Sequence, residues 1–301
     1  MTVINTNTAA TLTANALTKN ERAMSQAMER LSTGVRINSA ADDAAGLAIS
    51  SRMTSQVNGL NMSVRNANDA ISMVQTADGA LVEVTNMLQR MRELTVQAVS
   101  GTLSSTDVTA LNTEFTGLRD QIQEVAKNTE WNGTKILDGS VGTATSVDFQ
   151  VGANASQTIS VVFGDLNTNF NSTDSTTEAV LATGILVGLG TAGIGSGTGG
   201  TKDLIDQEVN TSAIISTIDA ALTNVNEKRS DYGAAINRLE YTADNLANIS
   251  QNTSASRSRI LDADYAAETT ELARTQIIQQ AGTAMLSQAN QAAQSVLALL
   301  R

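Results

Sequence analysis

From about Asp42 to Ser100 the chain repeats apolar or small residues in alternating steps of four and three. They fall at Met53, Val57, Leu60, Val64, Ala67, Ile71 and Val74, and continue through Ala77, Leu81, Val84, Leu88 and Met91 to Ala98. This alternation, almost without fault, marks a heptad seam rather than the broader stripe of an ordinary surface helix. At 1.5 Å per residue, roughly 57 residues make a rod of about 85 Å. A rod with one apolar edge buries that edge only against other helices.

The partners are visible in the same chain. Val108, Leu111, Phe115, Leu118, Ile122 and Val125 repeat the rhythm over 104–128. Over 209–256 it returns at Ile214, Ile218, Ala221, Val225, Tyr232, Ala235, Leu239, Thr242, Leu246 and Ile249. Helices 42–100, 104–128 and 209–256 are expected to form one intramolecular bundle core. Gly101 turns the chain between the first two. Gly34 is a helix stop, and Ser39 with Asp42 is a capping-box-like start. Asp42-Asp43 invites a reading as a metal-binding pair, but no further ligands stand at fixed spacing, so the pair is read as a helix cap.

Between the helices the period drops to two. Val147, Phe149 and Val151 share one face of a strand, and Ile159, Val161 and Phe163 one face of the next, with "GANAS" as the turn. Asn132-Gly133 and Asp138-Gly139 are turn signals. Residues 141–201 hold many Ser and Thr and no Lys or Arg, and 184–200 is Gly-rich. That stretch is a loop or a small, weakly specified domain, and lacks the Gly-Lys-Ser/Thr of a phosphate-binding loop.

The ends are helical and short of apolar area. Leu17, Met24 and Leu31 recur every seven residues, with Ala27 beside them. After "SASRSR" a last helix starts near Asp262–Asp264, and Ile278, Met285, Ala292 and Leu299 recur every seven. The layout is near-palindromic, so the ends should run antiparallel with the insert at the far tip. The fold is therefore read as mainly α: a long antiparallel helical bundle or coiled coil from both chain ends, a β-hairpin, and a small β/loop-rich central insert. A two-stranded coil of the ends is marginal alone. Each buried Leu contributes about 1.5–3 kcal/mol, whereas ordering each residue's backbone costs about 1–2 kcal/mol. Val296, Leu297, Leu299 and Leu300 spread over most of the helix circumference, more than one partner helix covers. These four, with Leu17, Met24, Leu31, Ile278 and Met285, are the expected self-association residues.

Composition narrows the function. The net charge of −11 gives no basic face for nucleic acid or an anionic membrane. The chain has no Cys, His or Pro. This removes disulfides, thiolate nucleophiles and the commonest general base and metal ligand. No cofactor and no catalytic or metal site is expected. The N-terminus lacks a secretory signal pattern and no segment is apolar enough to span a membrane. By these criteria the chain reads as cytosolic, or exported without a cleaved signal.

Several long stretches resemble bacterial flagellin, the subunit of the flagellar filament. They are "RLSTGVRINSAADDAAGLAIS", "NANDAISMVQTADGAL", "LQRMRELTVQA", "NGTKILDGS", "FQVGANASQTISV", "SRILDADYAAETTELARTQIIQQAGTAMLSQANQ" and the final "VLALLR". Together they span about 1–165 and 205–301. Two departures are visible. Ala292-Ala293 stand where many flagellins have Pro, so the last helix should run unbroken, and without His the HExxH protease insert of some flagellins is ruled out.

The resemblance implies a division of labour. Residues 1–42 with 262–301 would be a terminal coiled-coil domain forming the inner tube of the filament. Residues 43–165 with 205–261 would be the helical bundle with its β-hairpin, and 166–204 a variable outer insert. The expected function is a structural subunit, not an enzyme, that polymerises with other copies for swimming motility while its ends fold. Implied partners are an export chaperone at the C-terminal helix, junction proteins, the filament cap and host innate immune receptors. Implied localisation is the extracellular filament, reached through the flagellum's type III export channel. Flagellin's receptor-binding surface maps onto Arg90, Leu94 and Glu114. A hook–filament junction protein and a flagellin-like cell-surface binding protein are the alternatives.

Overall fold

The computed structural model describes residues 7–100, 102–143, 145–166 and 208–298. In chain order the elements are α1 (Thr8–Thr33), α2 (Ala44–Ala98), α3 (Ser105–Asn128), β1 (Glu130–Trp131), β2 (Thr134–Lys135), β3 (Ser146–Gln150), β4 (Thr158–Val162), α4 (Glu208–Leu261) and α5 (Tyr265–Ala298). The fold is mainly α, with two antiparallel two-stranded sheets, β1–β2 and β3–β4. Apart from Leu166, the expected insert 166–204 lies outside the described residues.

Short polar side chains start the helices. Asn7 Oδ1 accepts the Ala10 N–H at 3.0 Å. Ser104 and Asp107 form a reciprocal capping box on α3. Asp264 Oδ1 accepts the Ala266 N–H at 2.9 Å before α5. The start of α2 differs from expectation. Ser39 and Asp42 close a separate turn, with the Ser39 N–H donating to Asp42 Oδ2 at 2.9 Å. The helix begins two residues later, because the Asp43 carboxylate accepts the Gly46 N–H at 2.8 Å.

The helix ends are equally local. Gly34 closes α1 in the left-handed region (φ 73°), and its N–H donates to the Arg30 carbonyl. α4 does not stop at 256 but runs through "SASRSR" to Leu261, since nothing in that stretch lacks an N–H or favours a turn. Its last carbonyls are taken by Arg36. The Arg36 N–H donates to Leu261 O at 2.6 Å and Arg36 Nη2 to Ile260 O at 2.8 Å.

The chain divides into two compact units, residues 59–249 and residues 1–58 with 250–301. The first has an apolar core. Leu81, Val84, Leu88 and Met91 of α2 are fully buried with Phe115 and Ile122 of α3 and Ile218 and Val225 of α4. The expected hairpin joins them, with Val147 paired with Val161 and Phe149 with Ile159. Asn132 (φ 50°) and Gly133 (φ 77°) form the two-residue turn between β1 and β2. Two positions of the expected α4 seam are displaced by one residue: Ala243 is buried rather than Thr242, and Ser250 rather than Ile249, which is exposed. The buried row steps by four from Leu239 to Ala243, where the sequence reading steps by three to Thr242.

Candidate self-association surface

In the unit built from 1–58 and 250–301, α1 and α5 lie antiparallel. Asn7 Nδ2 donates to Ala289 O at 3.1 Å, Asn20 Nδ2 donates to Thr275 O at 2.8 Å, and Arg30 Nη1 meets Glu268 Oε1 at 3.0 Å. Later positions on one helix meet earlier positions on the other.

On α1 the row facing α5 steps from Leu17 through Asn20, Met24 and Ala27 to Leu31. Ala27 and Asn20 are buried and the three larger apolar residues are half-buried. Leu17 points at Gly282, where an added Cβ would sit 3.2 Å from Leu17 Cδ1, so glycine permits a close approach. Leu17, Met24 and Leu31 thus spend part of their area within their own chain.

On α5 the inward row is Leu272, Thr275, Gln279, Gly282, Leu286 and Ala289. The expected row is a different one. Ile278 and Met285 stand about 60–80° around the helix from it and are exposed, Met285 at 62%. A seven-residue count finds both rows and does not rank them by their polar partners. Val296 and Leu297 lie on the α5 backbone, while Leu299 and Leu300 lie outside the described residues.

The result is a coil with polar groups inside and large apolar groups outside. Asn20, Thr275 and the Arg30–Glu268 pair occupy the seam, and Arg30 Nε is buried without a hydrogen-bond partner. Leu12, Met28, Ile277, Ile278 and Met285 face out, with Leu12 at 73% and Ile277 at 65% exposure. This unit is also nearly neutral. It has nine Lys and Arg against eight Asp and Glu, whereas residues 59–249 have ten against 22 and carry all of the chain's negative excess. Sequence reasoning missed Asn20, although it stands three residues after Leu17 and four before Met24, a seam position.

A second surface lies on α2 and α3 in the 59–249 unit. Arg90 Nε bonds Glu114 Oε1 at 2.9 Å and Arg90 Nη1 bonds Glu93 Oε2 at 3.0 Å, all half-exposed or more. Arg92 Nε bonds Asp219 Oδ1 at 2.7 Å. Leu94 is not at this surface. It is 2% exposed and belongs to the core, so of the three expected receptor residues only Arg90 and Glu114 face solvent.

Among the described residues no cluster of metal-ligating side chains occurs, and no helix is long and apolar enough to cross a membrane. Residues 4–142 match the bacterial flagellin N-terminal helical region and residues 215–300 the bacterial flagellin C-terminal helical region. The flagellin of Bacillus subtilis is 42% identical over 307 residues, covering 99% of each chain. The chain belongs to the bacterial flagellin family. The flagellin of Xenorhabdus nematophila is 44% identical over 315 residues, again covering 99% of each. A putative flagellar hook-associated protein from Vibrio parahaemolyticus has a similar structure, with a TM-score of 0.55 over 73% of this chain and 100% of that one. At 13% identity that likeness concerns the fold alone. As a flagellin, the protein is a structural subunit of the bacterial flagellar filament, and full-length identity to flagellins disfavours the junction and surface-binding alternatives.

Proposed function

We propose that this flagellin polymerises by coupled folding and association, with its terminal helices as the inner layer. The observation that carries the reading is the apolar row of α5 at Ile277, Ile278 and Met285, left outside the α1–α5 seam. With Leu12 and Met28 it is an incomplete surface in a nearly neutral unit, where copies meet without mutual repulsion. Residues 1–42 and 262–301 form the filament core, 43–165 with 205–261 surround it, and 166–204 face outward. Leu17, Met24 and Leu31 contribute through the coil; Ile278, Met285, Val296, Leu297, Leu299 and Leu300 contact neighbours.

Several further roles rest on family membership. The chain passes the flagellar export channel unfolded, met by an export chaperone at its C-terminal helix. It is received by junction and cap proteins outside the cell. Host innate immune receptors read the surface carrying Arg90 and Glu114. The protein has no catalytic activity. Absent disulfides and prolines suit a chain that must refold after export without thiol chemistry or slow isomerisation.

The test is growth from short filament seeds, followed by microscopy. The unaltered chain extends the seeds. Leu299→Asp with Leu300→Asp yields a soluble, helical monomer that does not. Extension by that variant removes the terminal-seam reading.

A further inference from the structure

α5 offers α1 a choice of faces. The row that α1 takes contains Thr275, Gln279 and Gly282 among its apolar members. The neighbouring row, with Ile278, Ala281 and Met285, is left in water. Apolar area alone does not separate the rows, because Leu272, Leu286 and Ala289 on the paired one match Ile278, Met285 and Ala281 on the other, and burial free energy scales with apolar surface removed from water. Something else decides the pairing.

The polar groups distinguish the rows. Asn20 is 8% exposed in the α1 seam and its amide reaches the Thr275 main-chain oxygen at 2.8 Å. The Thr275 hydroxyl donates back to the Glu271 and Leu272 carbonyls within its own helix, and the Thr275 main-chain oxygen, with two lone pairs, accepts the Asn20 amide. Small residues at this face let α1 approach the α5 backbone; Ile278 and Met285 would screen it. Arg30 meets Glu268 on the same face at 3.0 Å. Turning α5 to present Ile278 and Met285 carries the Thr275 oxygen and the Glu268 carboxylate away. The Asn20 amide and Arg30 guanidinium are then buried against aliphatic carbon, which is costly for both. A single polar seam residue fixes pairing in coiled coils by this mechanism.

We propose that Asn20 and the Arg30–Glu268 pair select which face of α5 is paired, and so hold the Ile278–Met285 row outward. The polar contacts trade coil stability for orientation. That the freed row then receives a second copy rests on the self-association reading above. The face selection itself does not.

The experiment exploits the absence of native cysteine. In the full-length chain, Leu17→Cys with Gly282→Cys reports the observed pairing. Leu17→Cys with Ala281→Cys reports the turned one. Dilute protein is oxidised with diamide and each disulfide yield is measured by mass spectrometry, which traps the pair even when it forms part of the time. In the otherwise unaltered chain the 17–282 disulfide dominates. With Asn20→Leu, Arg30→Met and Glu268→Leu added, the ratio shifts about tenfold or more towards 17–281, at unchanged total yield. A ratio that stays put overturns the proposal. So does an equal fall in both yields, since the contacts then only stabilise. Asn20→Leu alone, the mildest change, must move the ratio in the same direction, and an unmoved ratio there overturns the proposal too. Seed extension is scored separately: its failure in the unaltered chain counts against self-association and leaves the disulfide ratio unaffected.

Discussion

The Tyr232 hydroxyl on α4 donates to the main-chain oxygen of Phe163, just past β4, at 2.5 Å, and the two rings lie 5.9 Å apart at 50°. Both side chains are fully buried. One buried hydrogen bond thus ties the end of the hairpin to the bundle. Tyr232→Phe keeps the ring and strands the Phe163 oxygen. We expect a loss of about 1–3 kcal/mol in unfolding free energy by denaturant titration, because an unsatisfied buried acceptor carries its full desolvation cost.

The same phenol predicts an alkaline limit. Burial, then the charges of Asp78 and Asp231, raise the Tyr232 pKa well above its ordinary value of 10.0. A group whose folded pKa is raised contributes stability that is fully present below its unfolded pKa. That contribution is lost as pH rises from about 10 towards the folded value. Unfolding free energy should therefore fall above pH about 10. In Tyr232→Phe this component should be missing and the alkaline fall shallower.

Ile278→Asp and Met285→Asp separate folding from assembly. Both side chains are exposed beside the α1–α5 seam. Each substitution should change stability by no more than about 0.5 kcal/mol, the usual range for surface changes. Seed extension should stop, because each carboxylate would be desolvated against a neighbouring copy. Leu17→Asp behaves differently: it strikes the seam opposite Gly282 and should weaken the α1–α5 pairing itself, as well as stopping extension.

What the sequence announces and what it hides follow from the range of the forces involved. The alternation of Val147 and Phe149 against Ile159 and Val161, the turn at Asn132-Gly133 and the stop at Gly34 depend on neighbours a few residues away, and all are legible. The α2 seam is legible from Val74 to Met91, where one heptad row dominates it; before that, Ser63 and Ala70 are buried where the count reads Val64 and Ile71. α5 has two rows of similar strength, and the choice rests on a contact between Asn20 and Thr275, far apart in sequence. Periodicity carries no information on such partners. The start of α2 was ambiguous for a smaller reason: adjacent Asp42 and Asp43 both suit a cap, and only backbone geometry gives the Gly46 N–H to Asp43. Leu94 looks exposed from its charged neighbours, yet it flanks Thr95, the seam position four residues after Met91, and is buried beside it.

That burial sets apart the expected receptor residues. Arg90→Ala removes half-exposed ion pairs with Glu93 and Glu114, which are screened by solvent, and should leave the melting curve nearly where it was. Leu94→Ala opens a core cavity and should cost about 2–5 kcal/mol. If the surface is read by a host receptor, Arg90→Ala should weaken binding with the melting curve unchanged. Leu94→Ala should weaken binding only in proportion to the unfolding it causes. Binding by calorimetry, with circular dichroism on the same samples, distinguishes the two.

Acid should loosen the first turn of α3 before the core. Asp107 is held below the usual carboxylate value by the Ser104 hydroxyl first and the Ser104 N–H second. A depressed folded pKa contributes stability above the unfolded value, about 3.9 for Asp, and loses it as pH falls through the lower folded value. Amide exchange at the α3 N-terminus should accelerate below pH about 4 relative to its intrinsic rate, while buried α2 amides around Leu88 stay protected. Asp107→Asn cannot titrate, so its α3 N-terminal protection should be nearly independent of pH over that window. A variant that retained the full acid response would assign the effect to another carboxylate and remove the Ser104–Asp107 box from the account.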